Sequence, residues 1–238
     1  MRPKIICHMI SSVDGRLQVE RWSPPAKGLA TGFVTPIYDE VAGRLNGQGW
    51  IVGRKSMEPM TLGGDKPVAT AETFPRTTHI GNRAGRTIAA AIDPHGKLHY
   101  GADGISSEHF VAILGEQVSD AYLAELRADG VSYVFAGQDG HDLTKALESL
   151  GSEFGVDTLL LEGGGLTNGA FLKAGLIDEL SLLIYPGIDG LAGVSSIFEY
   201  QGAADERPAA GRSLRHFATE TLANGVVWLR YRFEDYFD

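Results

Sequence analysis

The segment from Asp157 to Asp178 constrains the fold of this chain more than any other stretch of its sequence. Its first residues form an apolar run as far as Glu162, which predicts a strand. Three glycines interrupt that run, and the pattern from Leu166 to Ala174 predicts a helix that ends at Gly175. A strand, a tight turn and a helix in this order are the repeating unit of an α/β protein.

The glycine turn between this strand and this helix is a candidate anion-binding site. Glycine adopts positive φ without steric cost and has no Cβ to block a ligand, so the N–H groups of Gly164, Gly165 and Leu166 can point at one anion. The helix N-terminus adds partial positive charge. We therefore predict that the turn from Gly163 to Thr167 binds a nucleotide phosphate or pyrophosphate. A turn that only joins the strand to the helix is the alternative, since neither G-x-G-x-x-G nor a Gly-Lys-Ser/Thr loop is present.

Further strands and helices alternate along the chain, which predicts a mostly parallel sheet. The predicted strands are Lys4–Ile10, Gly49–Gly53, Thr77–Gly81, Thr87–Ile92, His109–Leu114, Val131–Ala136 and Glu179–Tyr185. The predicted helices are one from Pro36 to Asn46 with Thr35 as N-cap, one between the cap Ser119 and Gly130, and one capped by Asp142. An Asn-Gly turn between Leu214–Leu222 and Val226–Phe233 predicts an antiparallel hairpin at the C-terminal edge. We expect one domain over residues 1–238.

Composition limits the classes of function. The formal net charge of −9 offers no basic excess to neutralise nucleic-acid phosphates, so we expect no nucleic-acid partner. No segment approaches the roughly 18 apolar residues of a membrane helix, and the N-terminus does not resemble a signal peptide, so a cytoplasmic protein is expected. The single cysteine, Cys7, lies in an apolar run and is predicted to be a buried strand residue rather than a nucleophile. We predict no metal site, because His95 and His99 are separated by Gly96 and lack an accompanying Glu-x-x-His pattern.

Three polar segments are candidates for a site. Ser11–Gly15 leaves the first strand as a turn that either only reverses the chain or faces a ligand. Arg54, Lys55 and Ser56 follow another strand and either bind a phosphate group or form a solvated helix start. Asp39 lies in the first turn of a predicted helix, where a carboxylate also favours the helix dipole.

Three stretches of the sequence resemble one superfamily, the dihydrofolate-reductase-like fold, and within it the C-terminal reductase domain of riboflavin-biosynthesis proteins. The first is the strand that ends in Ser11–Gly15, which is similar to that family's Ser-Leu-Asp-Gly turn. The second is Trp50–Ser56, and the third and most specific is Leu161–Gly165 with Gly175–Leu180 after its helix. The resemblance covers nearly the whole chain. It implies a three-layer α/β/α fold, a homodimer, a small-molecule substrate and NADPH as cofactor.

The resemblance also implies roles for individual residues. The predicted cofactor-binding residues are Gly53, Arg54, Lys55, Ser56, Gly163, Gly164, Gly165, Leu166 and Thr167. The predicted substrate-binding residues are Ser12, Asp14 and Thr35. Hydride transfer to an electron-poor C=N or C=O group requires a proton source, and the candidate catalytic residues that would arrange it are Asp14 first and Asp39 second.

The segment Met57–Leu62 departs from the family pattern, which has an Asp-x-Pro-x-Leu sequence after the second strand. The leading hypothesis is an NADPH-dependent reductase that acts on a pyrimidine ribosyl phosphate of the riboflavin pathway or on a related heterocycle. The departure motivates a second hypothesis, a protein that senses NADPH and catalyses little. A general phosphate-binding protein with no preference for NADPH is the third.

Overall fold

In the described residues, ten strands form one sheet. As predicted, the sheet is mostly parallel and ends in an antiparallel C-terminal hairpin. The structure is a computed structural model, and it describes residues 1–29, 32–64 and 70–236. The strands are β1 (Lys4–Ser11), β2 (Gly49–Gly53), β3 (Thr87–Ile92), β4 (Gly104–Ile105), β5 (Glu108–Leu114), β6 (Ser132–Phe135), β7 (Thr158–Leu161), β8 (Glu179–Ile184), β9 (Arg212–Thr221) and β10 (Val227–Asp235). The α-helices are α1 (Val34–Arg44), α2 (Arg54–Met57), α3 (Asp120–Ala128), α4 (Leu143–Phe154) and α5 (Gly165–Lys173).

The chain divides into two compact units. The first comprises residues 1–3 and 48–159. In it β3 pairs in parallel with β2 on one side and with β5 on the other, β6 is parallel to β5, and the short β4 is antiparallel to β5. Its buried core includes Tyr100, Phe110, Leu123 and Tyr133.

The second unit comprises residues 4–47 and 160–238, of which residues 30, 31, 237 and 238 are not described. Here β1 is parallel to β8, with Ile6 opposite Glu179, while β10 is antiparallel to both β8 and β9. Asn224 and Gly225 take positive φ in the hairpin turn, as the Asn-Gly sequence predicts. Cys7 is fully buried in β1, which confirms its predicted role as a core residue. The expectation of one domain over residues 1–238 stays a prediction.

Capping residues set the bounds of two helices where the sequence predicts them. The Ser119 side chain accepts a hydrogen bond from the Tyr122 N–H at 3.1 Å, and the Asp142 carboxylate accepts one from the Lys145 N–H at 3.0 Å. At the other end of α4, Gly155 takes the left-handed conformation with φ 65°. These caps satisfy backbone groups that a helix end otherwise leaves unpaired.

The predicted start of α1 is wrong by two residues. Thr35 is not the N-cap, because the helix begins at Val34 and the Ile37 N–H already donates to the Phe33 carbonyl at 3.1 Å. Pro36 is thus the third helical residue, a position that tolerates proline because the first N–H groups have no partner inside the helix. The helix ends at Arg44 rather than near residue 46, where Asn46 has positive φ.

The predicted strand Thr77–Gly81 is also wrong. Only His79 forms a bridge, with Tyr133, and the Gly81 N–H donates to the Ser132 side chain instead of continuing a ladder. α5 begins one residue earlier than predicted, at Gly165, and the two-residue strand β4 was not predicted. The segment from Leu17 to Val34, with its prolines and glycines, predicts a long loop, and residues 30 and 31 of this segment lie outside the described residues. In the part of the chain that is described, no helix is long and apolar enough to cross a membrane.

Candidate active site

The glycine turn follows β7, as the sequence predicts. Gly164 has φ 65° and ψ 147°, a conformation that is essentially restricted to glycine. Its carbonyl accepts the first hydrogen bond of α5, from the Asn168 N–H at 3.1 Å. A glycine is therefore required at position 164 by the backbone itself, before any ligand is considered.

The first turn of α5 presents unpaired N–H groups. Among the described residues, no protein atom accepts a hydrogen bond from the N–H of Gly165, Leu166 or Thr167. These groups carry the partial positive charge of the helix N-terminus, and the adjacent Leu166 side chain is exposed. Their chemistry fits a phosphate or pyrophosphate, which accepts several hydrogen bonds from one backbone turn.

Packing within the protein also requires a small residue at Gly165. A Cβ on Gly165 would collide with the Ser196 carbonyl and would lie 3.1 Å from Cγ of Glu199. A Cβ on Gly169, one turn further along α5, would collide with the Glu199 carbonyl. One face of α5 is thus glycine because a neighbouring segment of the chain packs directly against its backbone.

The turn after β1 holds Ser12 and Asp14 together. The Ser12 hydroxyl donates to the Asp14 carboxylate at 2.7 Å and accepts from the Arg16 N–H at 2.9 Å. The same carboxylate accepts from the N–H groups of Asp189 and Gly190, at 3.1 and 2.8 Å. Ser12 exposes no surface, so its hydroxyl is engaged within the turn.

These hydrogen bonds stabilise the ionised form of Asp14. The Ser12 hydroxyl, followed by the two backbone N–H groups, lowers the pKa of Asp14 to about 2. At neutral pH the side chain is an anion with its oxygens already occupied by donors. This geometry suits a residue that holds structure and orders neighbouring groups, and it does not suit a proton donor.

The other two predicted residues of this unit, Thr35 and Asp39, lie exposed on α1. Between them in sequence, Tyr38 packs on the buried His8 ring at a centroid distance of 4.2 Å, and its hydroxyl donates to the His8 carbonyl. In the described structure no hydrogen bond joins Thr35 or Asp39 to the Ser12–Asp14 turn. Their predicted roles stay predictions.

The remaining predicted cofactor residues belong to the first unit. Gly53 ends β2, and Arg54, Lys55 and Ser56 form the short helix α2. Lys55 is exposed, and Arg54 is paired with Glu58 one turn along, at 3.4 Å. This weak surface pair leaves both cations available for a charged ligand.

Asp189, Arg21 and Asn168 also belong to the region of the two turns, and no sequence pattern predicts their roles. Asp189 forms a bidentate ion pair with Arg21, at 2.7 and 3.0 Å. Asn168 lies fully buried on α5 and donates to the Ile197 carbonyl at 2.9 Å. Their partners are distant in sequence, so no local pattern indicates them.

The fold and the glycine turn define a class: an α/β protein with a mostly parallel sheet and a glycine turn at a helix N-terminus. Residues 3–228 match the family model described as the RibD C-terminal domain. The chain therefore belongs to the RibD C-terminal domain family.

Solved structures share its fold. A pyrimidine reductase-like protein from Corynebacterium diphtheriae has a TM-score of 0.68 at 18% identity, over 98% of this chain and 92% of that one. RibD from Acinetobacter baumannii has a TM-score of 0.61 at 18% identity, and the match covers 98% of this chain but 58% of that one. The riboflavin biosynthesis reductase Rib7 from Saccharomyces cerevisiae has a TM-score of 0.57 at 14% identity, over 98% and 90% of the two chains.

Proposed function

We propose that this protein is an NADPH-dependent reductase that transfers a hydride to a pyrimidine ribosyl phosphate, such as 5-amino-6-ribosylaminouracil phosphate, or to a related heterocyclic small molecule. Membership of the RibD C-terminal domain family supports an oxidoreductase. The observation that carries the proposal is the row of N–H groups at Gly165, Leu166 and Thr167, which have no partner among the described residues, beside Gly164 with its positive φ.

Each of the site residues would have its own role in this reaction. The first turn of α5 holds the pyrophosphate of the cofactor. Arg54 and Lys55 are proposed independently as cations that favour NADPH over NADH by charge-assisted contacts to a phosphate group. When bound, NADPH supplies the hydride. Asp14 maintains the turn that faces the substrate, and a proton reaches the acceptor from an ordered water or from a group such as Asp39.

A titration of the purified protein with NADPH and NADH, followed by tryptophan fluorescence, tests the cofactor assignment. We expect micromolar binding of NADPH, at least about tenfold tighter than that of NADH, because a charge-assisted contact to one phosphate contributes about 1.5–3 kcal/mol. The Arg54→Gln, Lys55→Gln double variant should lose this preference while it retains NADH binding. Lys97→Gln removes an exposed lysine of the same unit as a control. If neither nucleotide binds, the reductase proposal is wrong.

The sensor remains a second candidate, favoured by the segment Met57–Leu62. It forms a 3₁₀ turn at Glu58–Met60 with exposed side chains, and it lacks the family's Asp-x-Pro-x-Leu sequence. Incubation of the protein and NADPH with pyrimidine, pterin and simple carbonyl compounds separates the two functions. A reductase oxidises NADPH with at least one of them, whereas a sensor binds NADPH and oxidises none.

We also propose that the chain forms a homodimer. β9 is a ten-residue strand at the end of the strand order, and Leu214 on it is exposed. Such an edge offers unpaired backbone groups to a second strand. Light scattering should give twice the chain mass of 25.5 kDa. A mass of one chain at micromolar concentration would contradict this proposal.

A further inference from the structure

The segment Gly187–Glu199, here called the strap, joins two parts of the candidate site within the second unit. Its first end lies on the turn after β1. The Val13 N–H donates to the Gly187 carbonyl at 2.8 Å, and the N–H groups of Asp189 and Gly190 donate to Asp14. The ion pair between Arg21 and Asp189 also stabilises this first end of the strap.

The middle of the strap continues along that turn. The Leu17 N–H donates to the Ser195 carbonyl at 3.0 Å, and Arg16 forms an isolated antiparallel bridge with Ser196. The Arg16 guanidinium donates to the Val194 carbonyl at 2.7 Å. The turn that holds Ser12 is therefore contacted by the strap along its whole length.

The far end of the strap lies on α5, at the turn proposed to hold the pyrophosphate. The Glu199 N–H donates to the Gly165 carbonyl at 2.9 Å, and the strap packs against the helix where Gly165 and Gly169 have no side chain. The Asn168 amide donates to the Ile197 carbonyl at 2.9 Å.

The Asn168 side chain is fully buried. Within the described part of the chain it makes no other hydrogen bond, and its Oδ1 atom has no partner. A buried acceptor without a partner is unfavourable, so an apolar residue would suit this position better if packing were its only role. What the asparagine provides is the one hydrogen bond to the strap.

Apart from these anchors, the strap is held by two hydrogen bonds between Ser23 and Ile188, at 2.9 and 3.1 Å, and by the buried Val194 side chain. Only its single bridge at Ser196 is regular structure, and the Ile188 and Leu191 side chains are 54% and 53% exposed. Segments with few buried apolar contacts have low local stability. Their position depends on the polar contacts at their ends.

We infer that Asp14 and Asn168 are positioning residues, which act through the strap to fix the Ser12–Arg16 turn relative to the N-terminus of α5. The functional part of this inference rests on the proposed reductase, in which one end faces the substrate and the other holds the cofactor. Hydride transfer depends on the placement of two bound molecules, and a displacement of about 1 Å can lower a rate about a hundredfold.

Amide hydrogen exchange of the protein without ligands tests the strap itself. The variants are Asp14→Asn and Asn168→Leu, with Asp205→Asn as a control at an exposed carboxylate of the same unit. Each of the two variants should raise exchange at least about tenfold at both ends of the strap, at Asp189 and Gly190 and at Glu199. Faster exchange confined to the substituted end, or no change, would overturn the inference.

Kinetics with NADPH and 5-amino-6-ribosylaminouracil phosphate test the positioning role. Each variant should lower kcat about tenfold or more while the Kd for NADPH stays within about threefold of the wild-type value. The double variant should be no more than about twofold worse than the poorer single variant, because both residues hold one segment. The positioning role would be contradicted if the kcat losses of the two single variants multiply in the double variant. An unchanged kcat in folded single variants would also contradict it.

The two proposals fail separately. If the wild-type protein binds no nucleotide, the reductase proposal is lost, whereas the exchange experiment still decides whether the strap is a single unit. If the wild-type protein catalyses the reaction and both variants have the same kcat as the wild type, the positioning role is wrong and the reductase proposal stands.

Discussion

At the scale of single residues, one buried serine satisfies two other side chains. The Trp228 indole N–H donates to the Ser181 hydroxyl oxygen at 2.8 Å, and His8 Nδ1 lies 3.1 Å from the same oxygen. His8 Nε2 faces the Tyr38 carbonyl, which only accepts, so the hydrogen-bond network assigns the proton to Nε2. Nδ1 is then an acceptor, and the Ser181 hydroxyl donates to it.

Ser181→Ala should lower the free energy of unfolding by about 2 kcal/mol or more, because it leaves the Trp228 N–H and His8 Nδ1 buried without partners. Denaturant unfolding measures the change. Ser152→Ala is the control: the Ser152 hydroxyl donates to the Glu148 carbonyl on exposed helix surface, and its loss should change stability by less than about 0.5 kcal/mol. Equal effects of the two substitutions would show that the network is not stabilising.

At the scale of elements, two helical glycines have opposite surroundings. Gly43 in α1 is exposed, and a Cβ there would meet no atom within 4 Å. Gly169 in α5 is buried, and a Cβ there would collide with the strap at Glu199. The sequence shows a glycine in a predicted helix in both cases, and only the neighbouring segment distinguishes them.

Gly43→Ala should stabilise the protein by about 0.5–1 kcal/mol, because alanine reduces the backbone entropy of the unfolded chain and favours the helix. Gly169→Ala, the same chemical change, should destabilise it by about 1–3 kcal/mol through overpacking. Thermal unfolding of both variants beside the wild type gives the comparison. A stabilising Gly169→Ala substitution would mean that the strap is free to move away from α5.

At the scale of the whole molecule, each unit contains a buried histidine that the fold keeps neutral. Burial is the main reason that the pKa of His8 is lowered to about 4, in the second unit. Burial, with a further contribution from the Arg86 charge, lowers the pKa of His109 to about 4 in the first unit. Arg86 donates towards His109 Nδ1, so Nε2 carries the proton and donates to the Ser132 hydroxyl.

Stability should therefore fall as the pH is lowered from about 6.5 to 4. In this range the unfolded chain binds protons at both histidines while the native protein does not, so the slope approaches about 1.4 kcal/mol per pH unit for each one. Denaturant unfolding at several pH values measures it. His8→Gln should reduce the slope whatever its effect at pH 7, and His95→Gln, at an exposed site, should leave it as in the wild type. A free energy of unfolding that does not change with pH between about 4.5 and 6.5 would contradict the lowered pKa values of the two histidines.

Much of the fold follows from local features of the sequence. Apolar runs predict β2 and β3 to the residue, the Ser119 and Asp142 caps predict the starts of two helices, and the Asn-Gly pair predicts the hairpin turn. These features act over a few residues, because they depend on backbone conformation and on side chains that bond their own neighbours. The start of α1 was missed because Thr35-Pro36 has the sequence of a cap, while the backbone already turns at Phe33.

For the candidate site, the sequence alone determined that a glycine turn with available N–H groups precedes a helix, since only glycine accepts the conformation of Gly164. Tertiary structure decided the rest. Asp14 bonds to Asp189 across a separation of 175 residues, and Asn168 bonds to Ile197 across 29. Such partners are chosen by the packing of distant segments, which no local pattern encodes. The sequence thus predicts where an anion would bind, whereas only the folded chain shows which distant side chains contact the segments around that turn.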